Sequence, residues 1–278
     1  MKRNVLFILI CFLLQACSPA EPYYDDTIGL EGVATEPGAL AGVFGQKVFA
    51  ATLVQVPLFP DEMGGGFQWL RVERTYDEAS DSYMQESMIC DGRNVEVHGT
   101  SADVPRSTYR AVPPSENETF IANHETGEQS AEGLLQLWGV RDLAQPATEP
   151  FPETAEQADA NGFSEKIYDM DEDSEPGYST FVEGAANGTA YGVLRRQTTY
   201  KGVVLGPDRI VGIAETAYDS LFLGADDDIV EQMMSGESPA FPDPKESWFE
   251  ELRMDDTADC DAVVELEESE TFSRLRPF

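Results

Sequence analysis

Basic residues are scarce in this chain of 278 residues. It has 18 lysines and arginines against 52 aspartates and glutamates, which gives a formal net charge of -34. Duplex nucleic acid is bound through clustered Lys and Arg side chains that displace counterions from phosphates, and anionic lipid headgroups are bound through polybasic segments. Both kinds of electrostatic partner are therefore excluded. The acidity indicates either a surface adapted to a saline medium or a surface that meets a basic partner or divalent cations.

The residue types that most often carry catalysis or bind zinc are also few. The chain has two histidines, His98 and His124, and four cysteines. It contains no HExxH, GxSxG or CxxC motif, so a zinc protease, a serine hydrolase and a thiol redox enzyme are not indicated. A pair of carboxylates at a spacing suited to glycoside hydrolysis is always found among so many acids. A carboxylate-dependent hydrolase therefore stays an alternative, but we expect no enzymatic activity and assign no catalytic residue.

No apolar run is long enough to span a membrane. Lys2 and Arg3 precede the apolar stretch Val5 to Leu14, whereas a membrane-spanning helix requires about 20 apolar residues. The segment is therefore a targeting signal. The sequence Leu14-Gln15-Ala16-Cys17 resembles the lipobox of bacterial lipoproteins. The alternative is an ordinary cleaved signal with a bystander cysteine.

The lipobox resemblance implies where the mature chain starts and where it resides. In that family the signal, here residues 1–16, is removed and the new N-terminal cysteine, here Cys17, is acylated with palmitate-type chains. Ser18 follows, and the absence of Asp at that position implies the outer membrane of a Gram-negative cell, with the periplasmic or cell-surface side left open. Two or more acyl chains give stable anchoring. We thus expect the membrane to be a partner through lipid, and no protein partner is identified.

Two cysteines remain for the folded part. Cys11 leaves with the signal and Cys17 carries lipid, so Cys90 and Cys260 form an even pair in an oxidising compartment. The sequence therefore predicts a disulfide between them, with two separate buried thiols as the alternative.

Composition divides the mature chain. Residues 17–38, rich in Pro, Gly and acid, are predicted to be a flexible tether. Residues 39–278 are predicted to be a single β-rich domain in two halves, 39–143 and 162–278, joined by a Pro/Ala/Glu-rich linker at 144–161. The predicted strands are 48–56, 67–76, 83–90, 94–98, 179–183, 190–200, 202–205, 209–215, 247–254 and 262–266, and residues 134–140 are predicted to be a strand or a short helix. Turns are predicted at 77–82, 187–188 and 201–202, and a helix at 227–234. The predicted fold class is all-β, an antiparallel barrel or a β-sandwich with a long mid-chain loop.

A short motif at the first strand favours a barrel. Gly42-Val43-Phe44 is similar to the Gly-x-Trp start of lipocalin-type (calycin-like) barrels. The resemblance implies that Phe44 plugs one end of the barrel and that an arginine on a later strand, Arg195 or Arg196, covers its ring by a cation–π contact. The alternative is an ordinary core phenylalanine. The mouth of such a barrel is the default site for a small apolar ligand.

Alternating carboxylates predict a metal site. The segment Asp169-Met170-Asp171-Glu172-Asp173-Ser174-Glu175-Pro176-Gly177 resembles the DxDxDG calcium loops of EF-hands, dockerins and thrombospondin type 3 repeats. The resemblance implies that Asp169, Asp171 and Asp173 are carboxylate ligands and that Glu175 supplies a backbone carbonyl to a structural Ca²⁺. Ser174 departs from the glycine of those loops, and Thr180 from the bidentate Glu of an EF-hand. The alternative is an acidic, solvated turn.

These features together predict a lipid-anchored, non-enzymatic envelope protein. Its expected role is to bind a small apolar ligand or to present a β surface. The alternatives are a calcium-stabilised structural or adhesion lipoprotein and, with less support, the hydrolase.

Overall fold

Ten strands dominate the described part of the chain, which in this computed structural model comprises residues 28–54, 60–235 and 239–278. The strands are β1 (Gly42–Val54), β2 (Glu62–Asp77), β3 (Ser82–Asn94), β4 (Ser101–Asp103), β5 (Ser115–Ala122), β6 (Glu128–Trp138), β7 (Tyr178–Glu183), β8 (Gly188–Gly206), β9 (Arg209–Ala225) and β10 (Trp248–Arg253). The helices are α1 (Arg106–Ala111), α2 (Ala155–Asn161), α3 (Asp228–Met234) and α4 (Cys260–Glu268), with 3₁₀ turns at Phe163–Lys166 and Pro244–Glu246. The signal, Cys17 and the first part of the predicted tether lie outside the described residues.

The strands form one antiparallel sheet that closes into a ring. Each long strand pairs with the next long strand along the chain, and β9 pairs with both β8 and β10 while β10 pairs with β1. Eight of the described strands make the ring, and β4 and β7 lie beside it. The all-β prediction is confirmed, and both halves of the chain contribute strands to the same ring.

The sheet divides where β6 ends. Trp138 of β6 pairs with Leu194, and the earlier residues of β8, from Gly188 to Gly192, pair with β7 instead. At this point Gly139 has φ of 66°, and a Cβ there would stand 2.5 Å from the backbone of Gly177. Only glycine permits such an approach at a positive φ. The side layer of β7 and β4 therefore widens one end of the ring.

Helix α4 covers the outer face of β1, β2 and β3. Asp259 caps it by accepting a hydrogen bond from the amide of Ala262, and Val263 and Val264 pack with Trp69. The prediction of a strand at 262–266 was wrong because two adjacent valines favour a strand locally, whereas the cap and the burial of one helical face decide the outcome. Cys90 of β3 and Cys260 of α4 form the predicted disulfide.

Several other boundaries differ from the predictions. Strand β8 runs without a break through Lys201 and Gly202, where a turn was predicted, because both residues pair with β9 as well as with β6. Residues 95–98 are not a strand, and β5 was missed. The predicted helix at 227–234 is α3, capped by Asp227.

The predicted flexible tether (17–38) and the predicted linker (144–161) are packed against the ring in their described parts. In the mid-chain segment 144–161, Phe151 and Ala158 bury against Val193 and Leu221 on the outside of the ring. The end of the predicted tether also binds the ring, since the amide of Val33 donates to Val204 and that of Thr35 donates to His124. In both places the polar composition correctly indicates a segment on the surface, but the segment is packed against the domain.

Candidate functional site

One end of the ring is closed by an aromatic plug. The side chain of Phe44 is fully buried, and the guanidinium groups of Arg253 and Arg74 lie 4.6 Å and 5.0 Å from its ring centre. Arg253 also donates hydrogen bonds to the carbonyls of Ala39 and Ala41, which ties the entering chain across this end.

The arginine predicted to cover Phe44 was wrongly chosen. Arg195 faces outward and lies over Phe151, and Arg196 lies inside the ring, 6.0 Å from the ring centre of Tyr218. The contact comes from the last strand of the ring because β10 pairs directly with β1 and places Arg253 opposite Phe44. Strand pairing across the closure of the ring was not visible in the sequence.

A polar network fills the ring next to the plug. Arg74 makes a two-pronged ion pair with Glu251, with both oxygens at 2.7 Å, and its Nε donates to Gln85. Gln85 in turn donates to Glu118, which also accepts from Ser87. Arg74 and Glu251 are buried but paired, and together with the hydrogen-bonded Gln85 and Glu118 they fix the arrangement of the interior and leave little space for a ligand. Burial is the main cause that raises the pKa of the Glu118 carboxyl.

The opposite end of the ring contains a cavity of about 620 Å³. It lies where β1 ends and β8 begins, and it is bounded by β7, β4 and α3. The wall is mostly apolar; it includes Val95, Val97, Ala102, Val104, Val182, Leu194, Phe222, Ile229, Met233 and Met234. None of its described lining residues is Asp or Glu, although the chain has 52 of them. The volume lies in the range of about 300–1,000 Å³ that small-molecule sites occupy.

Aromatic residues form the inner wall of this cavity. Trp138 packs edge-on against Tyr109 at 5.3 Å and against Tyr178 at 5.4 Å between ring centres. Burial raises the pKa of Tyr178 to about 12 and raises that of Tyr109 as well. Both phenols therefore stay neutral at physiological pH and contribute no negative charge to the wall.

Polar donors without partners lie at the inner end. Arg196 is 4% exposed, and its Nε and Nη2 form no hydrogen bond with any residue that the structure describes. The indole Nε1 of Trp138, which also lines the cavity, is likewise buried without a partner among the described residues, and so is the hydroxyl of Tyr200, which lies outside the described lining. Buried polar groups are nearly always satisfied, so such a group requires an explanation.

The predicted calcium loop brings three of its four residues together. Oxygens of Asp169, Asp171 and Asp173 lie within 4.8 Å of one another, and Glu175 is not part of this group. The carboxylates also accept hydrogen bonds from backbone amides, among them those of Ser174 and Ser179. Ser174 adopts φ of 80°, the left-handed conformation for which the resembled loops use glycine. The carbonyl role of Glu175 stays a prediction.

The two histidines lie at opposite ends of the ring. His98 is beside the mouth of the cavity, with its Nδ1 3.1 Å from Glu62. His124 lies at the plugged end, between Thr35 and Asp81. Neither position places a histidine at the inner end of the cavity.

Comparisons with known proteins give no relative: no family model, curated protein or solved structure matches the chain. The described helices are all too short or too polar to cross a bilayer.

Sequence reasoning placed a ligand site at the mouth of a barrel, but it identified none of the residues that line the cavity and missed the polar interior. The sequence did contain a signal for the polar interior. Gln68 and Arg74 of β2 and Arg196 of β8 are polar residues at buried positions of their strands, where the side chains face the inside of the ring. Polar residues at inward positions indicate either an internal network or a ligand site. Which strands would meet inside the ring could not be read from the chain.

Proposed function

We propose that this protein is a lipid-anchored envelope protein that binds a small apolar ligand in the cavity at the open end of its ring. The observation that carries the ligand part is the 620 Å³ apolar cavity with no carboxylate among its described lining residues. In so acidic a chain, a wall free of carboxylates favours an apolar occupant, because burying an unpaired charge against a ligand is costly.

The cavity also favours ligand binding over the two alternative functions, a β surface and a hydrolase. A protein that only presents a β surface needs a filled interior, whereas this interior is filled at the plugged end and open at the other. A carboxylate-dependent hydrolase needs two converging acids in a cleft, and the described wall of this cavity offers none. Ligand binding is therefore the better supported of these functions.

The anchoring part depends on the lipobox resemblance at Cys17. The plug lies at the end of the ring where the N-terminal segment enters, and the cavity lies at the other end. If Cys17 carries the anchor, the domain is tethered through the segment that enters at its closed end, and the mouth of the cavity lies at the other end of the ring.

Binding of the neutral fluorescent probe N-phenyl-1-naphthylamine to the soluble domain tests the ligand proposal. We expect saturable binding with a rise in fluorescence, and we expect Leu194→Trp, which fills the cavity from β8, to weaken it at least about tenfold. Thr199→Trp is the matched control, because Thr199 is on the outward side of the same strand. The absence of saturable binding, or equal binding by Leu194→Trp, contradicts the proposal.

A further inference from the structure

A buried cation lies at the inner end of the cavity, in contact with the ring of Tyr218 but with no anionic partner among the described residues. Arg196 lines the cavity, and in the described part of the chain it takes part in no ion pair within 4.0 Å. Its neighbour Arg195 shows the usual arrangement, since it pairs with Asp219 and donates to the carbonyl of Glu149. Desolvating a guanidinium without an anion is costly, so its persistence at this place indicates that an anion belongs beside it.

The free atoms of Arg196 have the geometry that a carboxylate requires. Nε and Nη2 form one edge of the guanidinium; both are buried and have no hydrogen-bond acceptor among the described residues, so this edge has to turn toward the cavity before a carboxylate can pair with it. Two parallel N–H groups along such an edge match the two oxygens of a carboxylate, which gives a bidentate, charge-assisted pair. A neutral hydroxyl satisfies only one of the two donors.

Further donors lie around the same point. Arg196 pairs with Gln136 across β6 and β8, and Trp138 lies two residues farther along β6 on the same face. The indole Nε1 of Trp138 is thus a diagonal neighbour with no partner of its own. The hydroxyl of Tyr200, four residues farther along β8, is also buried without a partner among the described residues, but it lies outside the described cavity lining. Among the described residues, Gln136 Oε1 on the neighbouring strand and Glu118 Oε1 farther along the interior are buried acceptors without a hydrogen-bond donor.

The walls beyond this point are apolar. Leu194, Val182 and Phe222 are among the residues that separate Arg196 from the mouth, and Ile229 stands at the rim with 57% of its surface exposed. An occupant that satisfies both regions has an anionic head and a hydrocarbon body. We propose that the cavity takes an amphiphilic carboxylate, with its head at Arg196 and its tail directed to the open end. This inference rests on the proposed ligand-binding function.

Competition between the neutral probe and ligands with different headgroups tests the inference. Decanoate, decanol and decyltrimethylammonium share one chain and differ in charge, and each is used below its aggregation concentration. We expect decanoate to displace the probe at least about tenfold more strongly than decanol, as a charge-assisted pair predicts, and the cation to be weakest. Arg196→Gln should reduce decanoate to the affinity of decanol, and Arg196→Lys should restore part of the preference.

Arg195→Gln is the matched control, because it removes the same charge from the outward face of the same strand. It should keep the preference for decanoate. The melting temperature without ligand shows whether Arg196 has a structural role instead. Arg196→Gln should not lower this temperature, because the substitution removes an unpaired buried charge. A clear fall overturns the inference, because it shows that Arg196 is satisfied within the chain. Equal affinity for decanoate and decanol overturns the carboxylate inference but not the proposed function. If the protein binds neither the probe nor these ligands, the proposed function itself is overturned.

Discussion

The guanidinium of Arg253 lies 4.6 Å from the centre of the Phe44 ring, and the two residues are opposite each other on the strands that close the ring. Arg253 reaches from there to the carbonyls of Ala39 and Ala41. One side chain therefore joins the last strand, the first strand and the entering segment. This contact closes one end of the β ring, so that the cavity opens only at the other end.

Removing the plug should destabilise the whole domain. Phe44→Ala deletes a fully buried ring and leaves Arg253 without its aromatic partner, whereas Arg74 keeps its contact with Phe120, so we expect a loss of about 3–5 kcal/mol in the free energy of unfolding. Urea denaturation followed by circular dichroism measures it. Phe181→Ala, at a position that is 44% exposed, is the control and should change the stability by less than about 0.5 kcal/mol. A similar small effect at Phe44 would contradict its role as a plug.

The sequence predicted local features, such as single strands and turns, better than it predicted how the sheet closes into a ring. The alternation around Phe67 to Tyr76 predicted β2, and the Asp77–Ser82 turn predicted the β2–β3 hairpin, because both depend on neighbouring residues. The partner of Phe44 was missed because it is set by the pairing of β1 with β10, which lie about two hundred residues apart. The unpartnered state of Arg196 is likewise a property of the assembled interior.

The disulfide should stabilise the domain substantially. It joins Cys90 and Cys260 over a sequence separation of 170, for which the chain-entropy model gives about 5 kcal/mol. Cys90→Ala with Cys260→Ala should therefore lower the urea midpoint strongly, and α4 should lose protection against amide exchange first, since the bond fixes its first residue. Reduction of the native protein should reproduce the effect. Unchanged unfolding in the double variant would contradict this account.

Lipid attachment is tested at Cys17. Cells grown with labelled palmitate should incorporate label into the native protein and not into Cys17→Ser, and the mass of the mature chain should correspond to loss of residues 1–16 plus acyl chains. Cys11→Ser is the control, because Cys11 belongs to the removed segment and labelling should be unchanged. An unlabelled native protein that keeps its first sixteen residues would contradict the anchoring proposal.

Calcium should stabilise the acidic loop if Asp169, Asp171 and Asp173 bind it as proposed. Extracellular sites of this kind have dissociation constants near 10⁻⁴–10⁻³ M, so roughly 10 mM calcium should add about 1.4–2.7 kcal/mol and raise the melting temperature. Asp171→Asn should abolish the rise. Glu172→Gln removes the same charge from the same loop outside the three-carboxylate group, and should keep it. No rise in the native protein at this concentration contradicts the site.

Glu118 should make stability depend on pH in the direction opposite to a salt-bridged acid. Burial raises its pKa in the folded protein above the ordinary value of 4.5, so its ionisation penalises the folded state. The stability that Glu118 contributes is fully present below pH 4.5 and is lost as the pH rises through the raised value. Glu118→Gln removes this loss while keeping acceptors for Gln85 and Ser87.

Melting temperatures measured from pH 4 to pH 8 test this sign. We expect the difference between Glu118→Gln and the native protein to grow with pH and to reach a few degrees in favour of the variant at pH 8. Glu96→Gln, at an exposed position, controls for the change in net charge and should show no such growth. A variant that becomes less stable than the native protein as the pH rises would mean that the ionised carboxylate is stabilised through Arg74 and that the polar network outweighs the cost of burial.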